Sequence, residues 1–296
     1  MQLLDGKETA QSYQQKVQEF ISNHRLNPCL QIIMIGDNPA SQVYVGKKQK
    51  LAEQTGIHVL YQHFSQETPF QEVLSFIKKC SAEDGIDGIL LQLPVPLDFD
   101  GDILLEAIAP AKDVDGLTWN SLGRLYTGNP SFIPCTPLGC MRLIKTWKKD
   151  LCGLDAVVIG RSRLVGKPMA SLLLEENCTV TQVHSFSKDI HHKARQADIL
   201  VVAVGRAAYI TQSMIKPGAC VVDVGINVQI TSPERKRHIV GDVCFPQVSS
   251  VAGALSPVPG GVGPMTIVSL LTNTVKAHII QKHAERILLS SDIFSY

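Results

Sequence analysis

Strands and helices alternate along most of this sequence, and that alternation is the feature that most restricts the fold. In the first hundred residues, apolar segments at 29–36, 58–64 and 88–94 predict strands. Helical patterns precede and separate them, at 7–23, 41–55 and 69–83. Strands separated by helices of this length are typical of βαβ units, so the sequence predicts an α/β fold with a parallel sheet.

A second series of the same kind begins near residue 154. The predicted strands are 155–160, 179–185, 198–205 and 220–225, with a helix after the first turn and another around 189–196. This rhythm is typical of a Rossmann-like dinucleotide-binding domain. A chain of 296 residues favours two domains over one, so we predict two α/β domains facing each other across a cleft.

Charge and cysteine content exclude several classes of protein. The formal net charge is +1, without the basic excess typical of proteins that bind nucleic acids or membrane surfaces. No apolar run is long enough to span a bilayer, and no secretory signal is visible. The eight cysteines are scattered and form no CxxC pair, which argues against a disulfide framework or a metal site. We therefore predict a cytoplasmic enzyme.

The turn after the strand 155–160 has the chemistry of a phosphate site. Gly160 and Gly166 flank it, and amide groups at the start of the following helix attract phosphate. The alternative is a tight turn with no ligand. The next strand ends at residues 184–188 without a carboxylate, and Arg161 beside hydroxyl groups suits the 2′-phosphate of NADP better than NAD. A polar strand end in solvent is the competing interpretation, while Ile226 is a candidate contact for nicotinamide.

The helix in SQVYVGKKQK (41–50) carries a lysine at an unusual position. Helical geometry puts Tyr44 and Lys48 on one face, with Lys48 near the middle of the apolar arc, Lys47 near its edge and Lys50 outside it. Such a lysine either extends its amine to solvent or lines a cavity. Gln92 follows a buried strand, a common ligand position or else a turn cap.

Three further segments are candidates for turns and loops. KDVDGL (112–117) contains Asp113 and Asp115, which are typical of turns. PCTPLG (134–139) and PVPGGVGPMT (257–266) predict rigid loops that serve either as hinges or as places where backbone approaches a ligand closely.

Together these segments resemble one family. SQVYVGKKQKLAEQTGI, GILLQLPVPL, KDVDGL, PCTPLGC, GRSRLVGKPMASLLL, DILVVAVG, GACVVDVGIN, GDV and SPVPGGVGPMT occur in the order seen in bifunctional methylenetetrahydrofolate dehydrogenase/cyclohydrolase proteins of the FolD type. The resemblance runs from about Leu4 to beyond Asn273. It implies NADP-dependent oxidation of 5,10-methylenetetrahydrofolate to the 5,10-methenyl cation, then hydrolysis to 10-formyltetrahydrofolate, by a homodimer.

The resemblance also implies roles for individual residues. Lys48 handles the proton of the hydrolysis, Gln92 holds its amine, Tyr44 offers a face to the aminobenzoyl ring and Asp115 binds the pterin. The cofactor residues are Gly160, Arg161, Ser162, Ser185 and Ile226. Further folate contacts are Leu91, Leu93, Pro259, Gly260, Gly261, Val262 and Gly263. The folate domain comprises residues 1–117 and 264–296, including a returning last helix predicted at 267–287, and the NADP domain comprises 118–263.

The sequence departs from the family pattern at Phe186 and Ser187, where many relatives carry Lys and Thr. Two other functions stay open at this point. One is an NADP-dependent oxidoreductase with a non-folate substrate, and the other is a non-catalytic nucleotide-binding regulator. The regulator hypothesis offers no reason for Tyr44, Lys48, Gln92 and Asp115 to occur together.

Overall fold

The computed structural model describes residues 1–231, 236–283, 287–288 and 291–296. Its helices are α1 Gly6–His24, α2 Pro39–Gln54, α3 Phe70–Ala82, α4 Gly101–Glu106, α5 Trp119–Tyr126, α6 Cys135–Trp147, α7 Gly166–Glu175, α8 Ile190–Ala194, α9 Phe245–Val248 and α10 Val262–Gln281. Its strands are β1 Gln2–Leu3, β2 Cys29–Ile35, β3 His58–Phe64, β4 Gly88–Leu91, β5 Asp155–Ile159, β6 Thr179–Val183, β7 Ile199–Val202, β8 Cys220–Asp223, β9 Asn227–Thr231, β10 Lys236–Val240 and β11 Ala254–Leu255.

The chain forms two compact units, which we name after their sheets. The three-stranded unit comprises Ser12–Cys135 and Ile267–Ser295, and the six-stranded unit comprises Met1–Gln11, Thr136–Thr266 and Tyr296. Residues 118–135 belong to the first unit because Phe132 is buried in its core. Residues 1–11 belong to the second because β1 pairs with β11. The predicted boundary between residues 117 and 118 therefore differs from this division.

The sheet of the three-stranded unit is parallel, in the order β3-β2-β4. Strand β2 is buried on both faces, which explains its unbroken apolar run. Its residues alternate between two cores, with Ile32 and Met34 in the cluster that contains Leu271 of α10. Ile33 belongs to the other cluster, with Ile77 of α3. Both faces of this sheet thus pack against helices.

The six-stranded unit has a parallel sheet in the order β1-β11-β8-β7-β5-β6. From β5 the chain first adds β6 on one side and then β7 on the other. The strand order therefore reverses between β5 and β7, and in such sheets ligands bind beyond the carboxyl ends of the strands at this point. The predicted α/β class, with two units and parallel strands, is confirmed.

Two segments predicted as loops instead begin helices. The PCTPLG segment enters α6 at Cys135, and the glycine-rich segment enters α10 at Val262. Gly139 fits inside α6 because a Cβ there would lie 2.8 Å from the Cβ of Met265, so the glycine permits close packing against α10. Helix α10 ends at Gln281, and residues 284–286 of the predicted helix lie outside the described residues.

The described residues contain neither a membrane-spanning helix nor a metal-binding cluster. No helix in this part of the chain is both long and apolar enough to cross a membrane. Within the same residues, no group of three or more His, Cys, Asp or Glu side chains is arranged to hold a metal ion. All eight cysteines are free thiols.

Candidate active site

Helix α2 begins where its sequence provides a cap. The Asn38 side chain accepts hydrogen bonds from the backbone N–H groups of Ala40 and Ser41, at 3.0 and 3.2 Å, and Pro39 occupies the first turn. The register set by this cap turns Lys48 inward, where only 6% of it is exposed. Lys47 and Lys50 are exposed, so helical geometry correctly separated the three lysines.

The Lys48 amine lies among groups predicted for the site. Its Nζ donates to Oε1 of Gln92 at 2.9 Å and lies 4.9 Å from the centroid of the Tyr44 ring. Gln92 follows β4 directly, and its backbone N–H donates to the carbonyl of Ile33 at 2.8 Å. The hydrogen bond to β2 therefore fixes the backbone of Gln92, whose side-chain amide binds the Lys48 amine. Tyr44, Lys48, Gln92 and Asp115 are called the lysine cluster below.

Burial and charge act on this cluster in opposite directions. Burial lowers the pKa of Lys48, while the charge of Asp115 raises it in part. Burial raises the pKa of Asp115, and Lys48 together with a hydrogen bond from Cys135 lowers it in part. Desolvation is the largest cause for both groups. Both groups therefore hold their charges less firmly than in water, as proton exchange requires.

The two aspartates of KDVDGL have different environments. The Asp113 carboxylate accepts the backbone N–H groups of Leu117 and Thr118, at 3.1 and 2.9 Å, and the hydroxyl of Ser121 at 2.6 Å. Asp113 is thus occupied in shaping the turn, as its sequence predicted. Asp115 is the aspartate that interacts electrostatically with Lys48.

Sequence reasoning missed two residues beside the lysine cluster. Cys135 is buried, and its one S–H group is shared between the Asp115 carboxylate and the carbonyl of Val114, whose oxygen lies 3.3 Å from Sγ. Burial raises the pKa of that thiol well above its ordinary value. Asn273 of α10 donates to the carbonyls of Val114 and Ile133 at 2.8 and 3.0 Å. The PCTPLG motif signalled Cys135, whereas no local pattern signals Asn273.

In the six-stranded unit, residues 160–166 form a turn that only glycine permits at both ends, which we call the nucleotide turn. Gly160 has φ +130°, and a Cβ there would lie 2.4 Å from the carbonyl oxygen of Ala203. A Cβ on Gly166 would lie 2.3 Å from the carbonyl oxygen of Gly160. The Ser162 hydroxyl accepts the N–H groups of Val165 and Gly166, at 3.1 and 3.3 Å. This cradle holds its own amides in place at the start of the ten-residue helix α7, and a helix N-terminus of this kind favours a phosphate.

The other predicted cofactor residues lie on the surface of the same unit. Arg161 is exposed, and its guanidinium carbon lies 5.5 Å from the centroid of the Phe186 ring. Ser185 is exposed among residues 184–188, which follow β6 and contain no carboxylate. Ile226 is 63% exposed, an unusual state for an isoleucine. Three predicted cofactor side chains are thus available to a ligand.

The remaining predicted folate contacts lie in two places. Leu91 is buried at the end of β4 and Leu93 is partly buried after it, on either side of Gln92. Pro259, Gly260, Gly261, Val262 and Gly263 belong to the six-stranded unit and lead into α10. The backbone of this segment lies close to the start of α1, since a Cβ on Gly6 would lie 1.7 Å from the carbonyl oxygen of Gly261.

A parallel sheet with a glycine cradle at its switch point, together with a buried lysine in a separate α/β unit, defines a nucleotide-dependent enzyme of two units. Residues 4–115 match the tetrahydrofolate dehydrogenase/cyclohydrolase catalytic domain, and residues 134–282 match the NAD(P)-binding domain of that family. The chain belongs to this family. It is a bifunctional enzyme of one-carbon folates, an NADP-dependent methylenetetrahydrofolate dehydrogenase and methenyltetrahydrofolate cyclohydrolase.

Individual relatives cover nearly the whole chain. The chain is 48% identical to the bifunctional protein FolD of Cereibacter sphaeroides over 278 residues, which is 93% of each chain. The structure of the FolD enzyme from Campylobacter jejuni is similar, with a TM-score of 0.89, 44% identity and coverage of 94% of this chain and 98% of that one. The Trypanosoma brucei enzyme, in complex with NADP and an inhibitor, has a TM-score of 0.88 and 33% identity, with 95% and 97% covered.

Proposed function

We propose that the lysine cluster performs the hydrolytic step and that the nucleotide turn binds the cofactor of the oxidative step. One observation carries the proposal. The Lys48 amine is buried, is held by a neutral amide and lies in the field of a carboxylate whose pKa burial raises. A lysine that only stabilised the helix would extend its amine to solvent, as its exposed neighbours do.

The oxidative step requires positioning and no general base. The methylene carbon of 5,10-methylenetetrahydrofolate loses a hydride, and the adjacent nitrogen lone pairs stabilise the methenyl cation that results. When bound, NADP⁺ supplies the acceptor for that hydride. The residues of the chain therefore contribute by holding the folate carbon at the correct distance and angle from the hydride acceptor. The Tyr44 ring provides a flat face for the aminobenzoyl group, and the Asp115 carboxylate accepts hydrogen bonds from the pterin N–H groups.

The hydrolytic step requires proton transfer. Water attacks the methenyl carbon and loses one proton, which gives a neutral hydroxy adduct. The bond from that carbon to N5 then breaks as the hydroxyl proton leaves to form the carbonyl and N5 takes up a proton, which gives 10-formyltetrahydrofolate. Lys48 accepts the first proton when its amine is neutral, and burial together with a cationic substrate favours that neutral form. Gln92 orients the amine without adding charge. Cys135 supports Asp115 through its hydrogen bond.

The cofactor contacts follow from the cradle and the exposed side chains. The nucleotide turn, at the N-terminus of α7, receives the phosphates, and Arg161 with Ser185 receives the 2′-phosphate of NADP⁺. Ile226 packs against the nicotinamide. Residues 184–188, directly after β6, contain no carboxylate, which supports NADP⁺ over NAD⁺ because a carboxylate at this strand end would repel the 2′-phosphate.

The remaining assignments rest on the family resemblance. Leu91 and Leu93 line the folate around Gln92. The segment Pro259, Gly260, Gly261, Val262 and Gly263 contributes backbone contacts to the folate. We extend the proposal to a homodimer in the cytoplasm, which light scattering coupled to size-exclusion chromatography and cell fractionation test.

The central experiment supplies 5,10-methylenetetrahydrofolate with NADP⁺ or NAD⁺ and follows NADPH or NADH and methenyl absorbance together. We expect faster oxidation with NADP⁺, and transient methenyl absorbance that decays as 10-formyltetrahydrofolate forms. A second assay starts from 5,10-methenyltetrahydrofolate without nucleotide and measures hydrolysis alone. Nucleotide reduction without methenyl absorbance or 10-formyl product would contradict the folate assignment. A persistent methenyl signal would contradict the hydrolytic assignment.

A further inference from the structure

Two motifs of the six-stranded unit contain aspartates that the chemistry above does not use. DVGIN contains Asp223 and GDV contains Asp242. Both side chains are buried, with 3% and 0% of their surface exposed. A carboxylate is buried only where its environment compensates for lost hydration. The hydrogen bonds of these two residues therefore indicate what they do.

Asp242 binds three consecutive backbone amides of one loop. Its Oδ2 accepts from the N–H groups of Val204 and Gly205 at 2.7 and 2.9 Å, and its Oδ1 accepts from Arg206 at 2.8 Å. Oδ1 also accepts from the side-chain amide of Asn227 at 2.9 Å. Both carboxylate oxygens are thus used, and all four donors are neutral. Hydrogen bonds to a carboxylate are stronger than those between neutral groups, so the loop is held firmly.

Asp223 binds the segment that carries Asp242. Its Oδ1 accepts from the N–H groups of Gly225 and Asp242, both at 2.9 Å, and its Oδ2 accepts from Val243 at 2.8 Å. A Cβ on Gly225 would lie 2.3 Å from the Asp242 carboxylate, and a Cβ on Gly241 would lie 1.8 Å from Oδ2 of Asp223. Because neither glycine has a side chain, the Asp242 carboxylate can pack against the backbone at Gly225, and the Asp223 carboxylate against the backbone at Gly241.

These contacts converge on the edge of the sheet where nucleotides bind. Residues 204–206 follow β7, the strand at the topological switch point, and residues 224–227 follow β8. Ile226 lies in the second loop between two anchors. On one side the Gly225 N–H donates to Asp223, and on the other the Asn227 amide donates to Asp242. An exposed isoleucine is thereby held on a backbone that is fixed on both sides.

We propose that Asp242 is a positioning residue for NADP⁺, which fixes the loop 204–206 directly and the Ile226 loop through Asn227 in the shape that receives the nicotinamide half of the cofactor. Asp223 supports this arrangement by holding the backbone of Asp242. The inference rests on the proposed role of Ile226 in cofactor binding. Asp242 itself does not touch the cofactor.

Three variants separate this role from a general contribution to folding. Asp242→Asn replaces one acceptor oxygen with an N–H₂ group that faces backbone donors. Asn227→Ala removes the link between Asp242 and the Ile226 loop, together with a longer contact of 3.4 Å to the Val240 carbonyl, and preserves the Asp242 carboxylate. Asp198→Asn is the control: its carboxylate also accepts a backbone N–H, that of Asp155 at 3.0 Å, and pairs with Lys216 at 2.6 Å, but it precedes β7 at the opposite edge of the sheet.

The measurements are NADP⁺ titration by calorimetry, steady-state oxidation, and hydrolysis of supplied methenyltetrahydrofolate, all well below the unfolding temperature of each variant. For NADP⁺ we expect Kd and KM to rise about tenfold in Asp242→Asn and about threefold in Asn227→Ala, from loss of charge-assisted bonds. Hydrolysis without nucleotide should stay within about twofold, because the lysine cluster lies in the other unit. Asp198→Asn should lower the unfolding temperature without changing Kd.

Several results would overturn the proposal. One is an unchanged Kd for NADP⁺ in Asn227→Ala, which decides the question even if Asp242→Asn does not fold. Another is an equal rise in Kd in Asp198→Asn, which would show that any loss of stability weakens binding. A wild-type chain that binds NADP⁺ with these variant effects but does not oxidise methylenetetrahydrofolate would instead contradict the proposed function and support the positioning role.

Discussion

At the lysine cluster the functional groups are side chains around a buried lysine, whereas the nucleotide turn consists of backbone amides, two glycines and exposed side chains. Burial lowers the pKa of Lys48 and raises that of Asp115. At the turn, by contrast, Arg161 and Ser185 lie in solvent and the cradle depends on Gly160 and Gly166. The difference matches the two tasks, because moving a proton requires shifted pKa values and binding phosphate requires fixed donors.

The comparison also separates the two activities experimentally. Hydrolysis of the methenyl cation needs no nucleotide, so changes at the turn should leave it intact. Oxidation needs both sites but no general base, so loss of the Lys48 amine should affect it less than hydrolysis. Variants of the two regions should therefore have opposite effects on the ratio of the two activities.

Lys48→Met should have the largest effect. It keeps most of the apolar stem and removes the amine, so we expect methenyl hydrolysis to fall by about 10²–10⁴-fold while the fold and folate binding persist. The decay of methenyl absorbance measures the rate, and circular dichroism checks the fold. Lys47→Met is the control, because Lys47 is exposed on the same helix and its loss should change neither activity. Rapid hydrolysis by Lys48→Met would remove the proposed role.

Gly160→Ala should weaken the nucleotide site selectively. The new Cβ would combine a positive φ with contact at 2.4 Å to the Ala203 carbonyl oxygen, a strain of about 1–3 kcal/mol or more. We expect the KM for NADP⁺ to rise at least about tenfold while hydrolysis of supplied methenyltetrahydrofolate continues.

Gly153→Ala is the matched control for that variant. Gly153 has φ +76° in the same unit, but an added Cβ would meet no atom within 4 Å. It should lose stability without a change in the KM for NADP⁺. Equal effects of the two substitutions on KM would show that backbone strain anywhere in the unit disturbs the cofactor site.

The pH dependence of hydrolysis tests the electrostatics of the lysine cluster. Below the pKa of Lys48 the amine is protonated and cannot accept a proton, so kcat should fall about tenfold per pH unit. Because burial lowers this pKa, the plateau should begin below the ordinary lysine value of about 10.4.

Asp115→Asn sharpens that test, since the Asp115 charge raises the pKa of Lys48. Its removal favours the neutral amine, so the profile of kcat at saturating substrate should move to lower pH. The uncatalysed hydrolysis is subtracted at each pH. A shift to higher pH would contradict the assigned interaction between the two residues.

Phe186→Lys should have the smallest effect, at the exposed turn. A lysine beside Arg161 adds a cation for the 2′-phosphate, and we expect the KM for NADP⁺ to fall about three- to tenfold at low salt. The KM for NAD⁺ should not change, and high salt should abolish the gain. Phe186→Leu is the control for loss of the ring that lies 5.5 Å from the Arg161 guanidinium carbon. An equal change for both cofactors would contradict 2′-phosphate binding at this turn.

Local patterns accounted for much of the fold and part of the site. Alternation of apolar strands and helices anticipated the strands of both parallel sheets apart from the two-residue strands β1 and β11, and helical periodicity turned Lys48 inward. They failed at the short helix α5, at α6 and at the antiparallel pair β9 and β10. Helix α5 is too short to give a clear periodic pattern. Helix α6 depends on packing, since it carries Gly139 where α10 lies against it.

The sequence by itself determined the fold class, the family and the inward direction of Lys48, because each depends on residue types at short, regular spacing. Only the tertiary structure decided the direction in which the pKa of that lysine shifts and which side chains surround it. Gln92, Asp115 and Cys135 are distant from it in sequence, and Asn273 hydrogen-bonds to Val114 across 159 positions. A pKa depends on burial and on distances between charges in space, and the chain has neither until it folds.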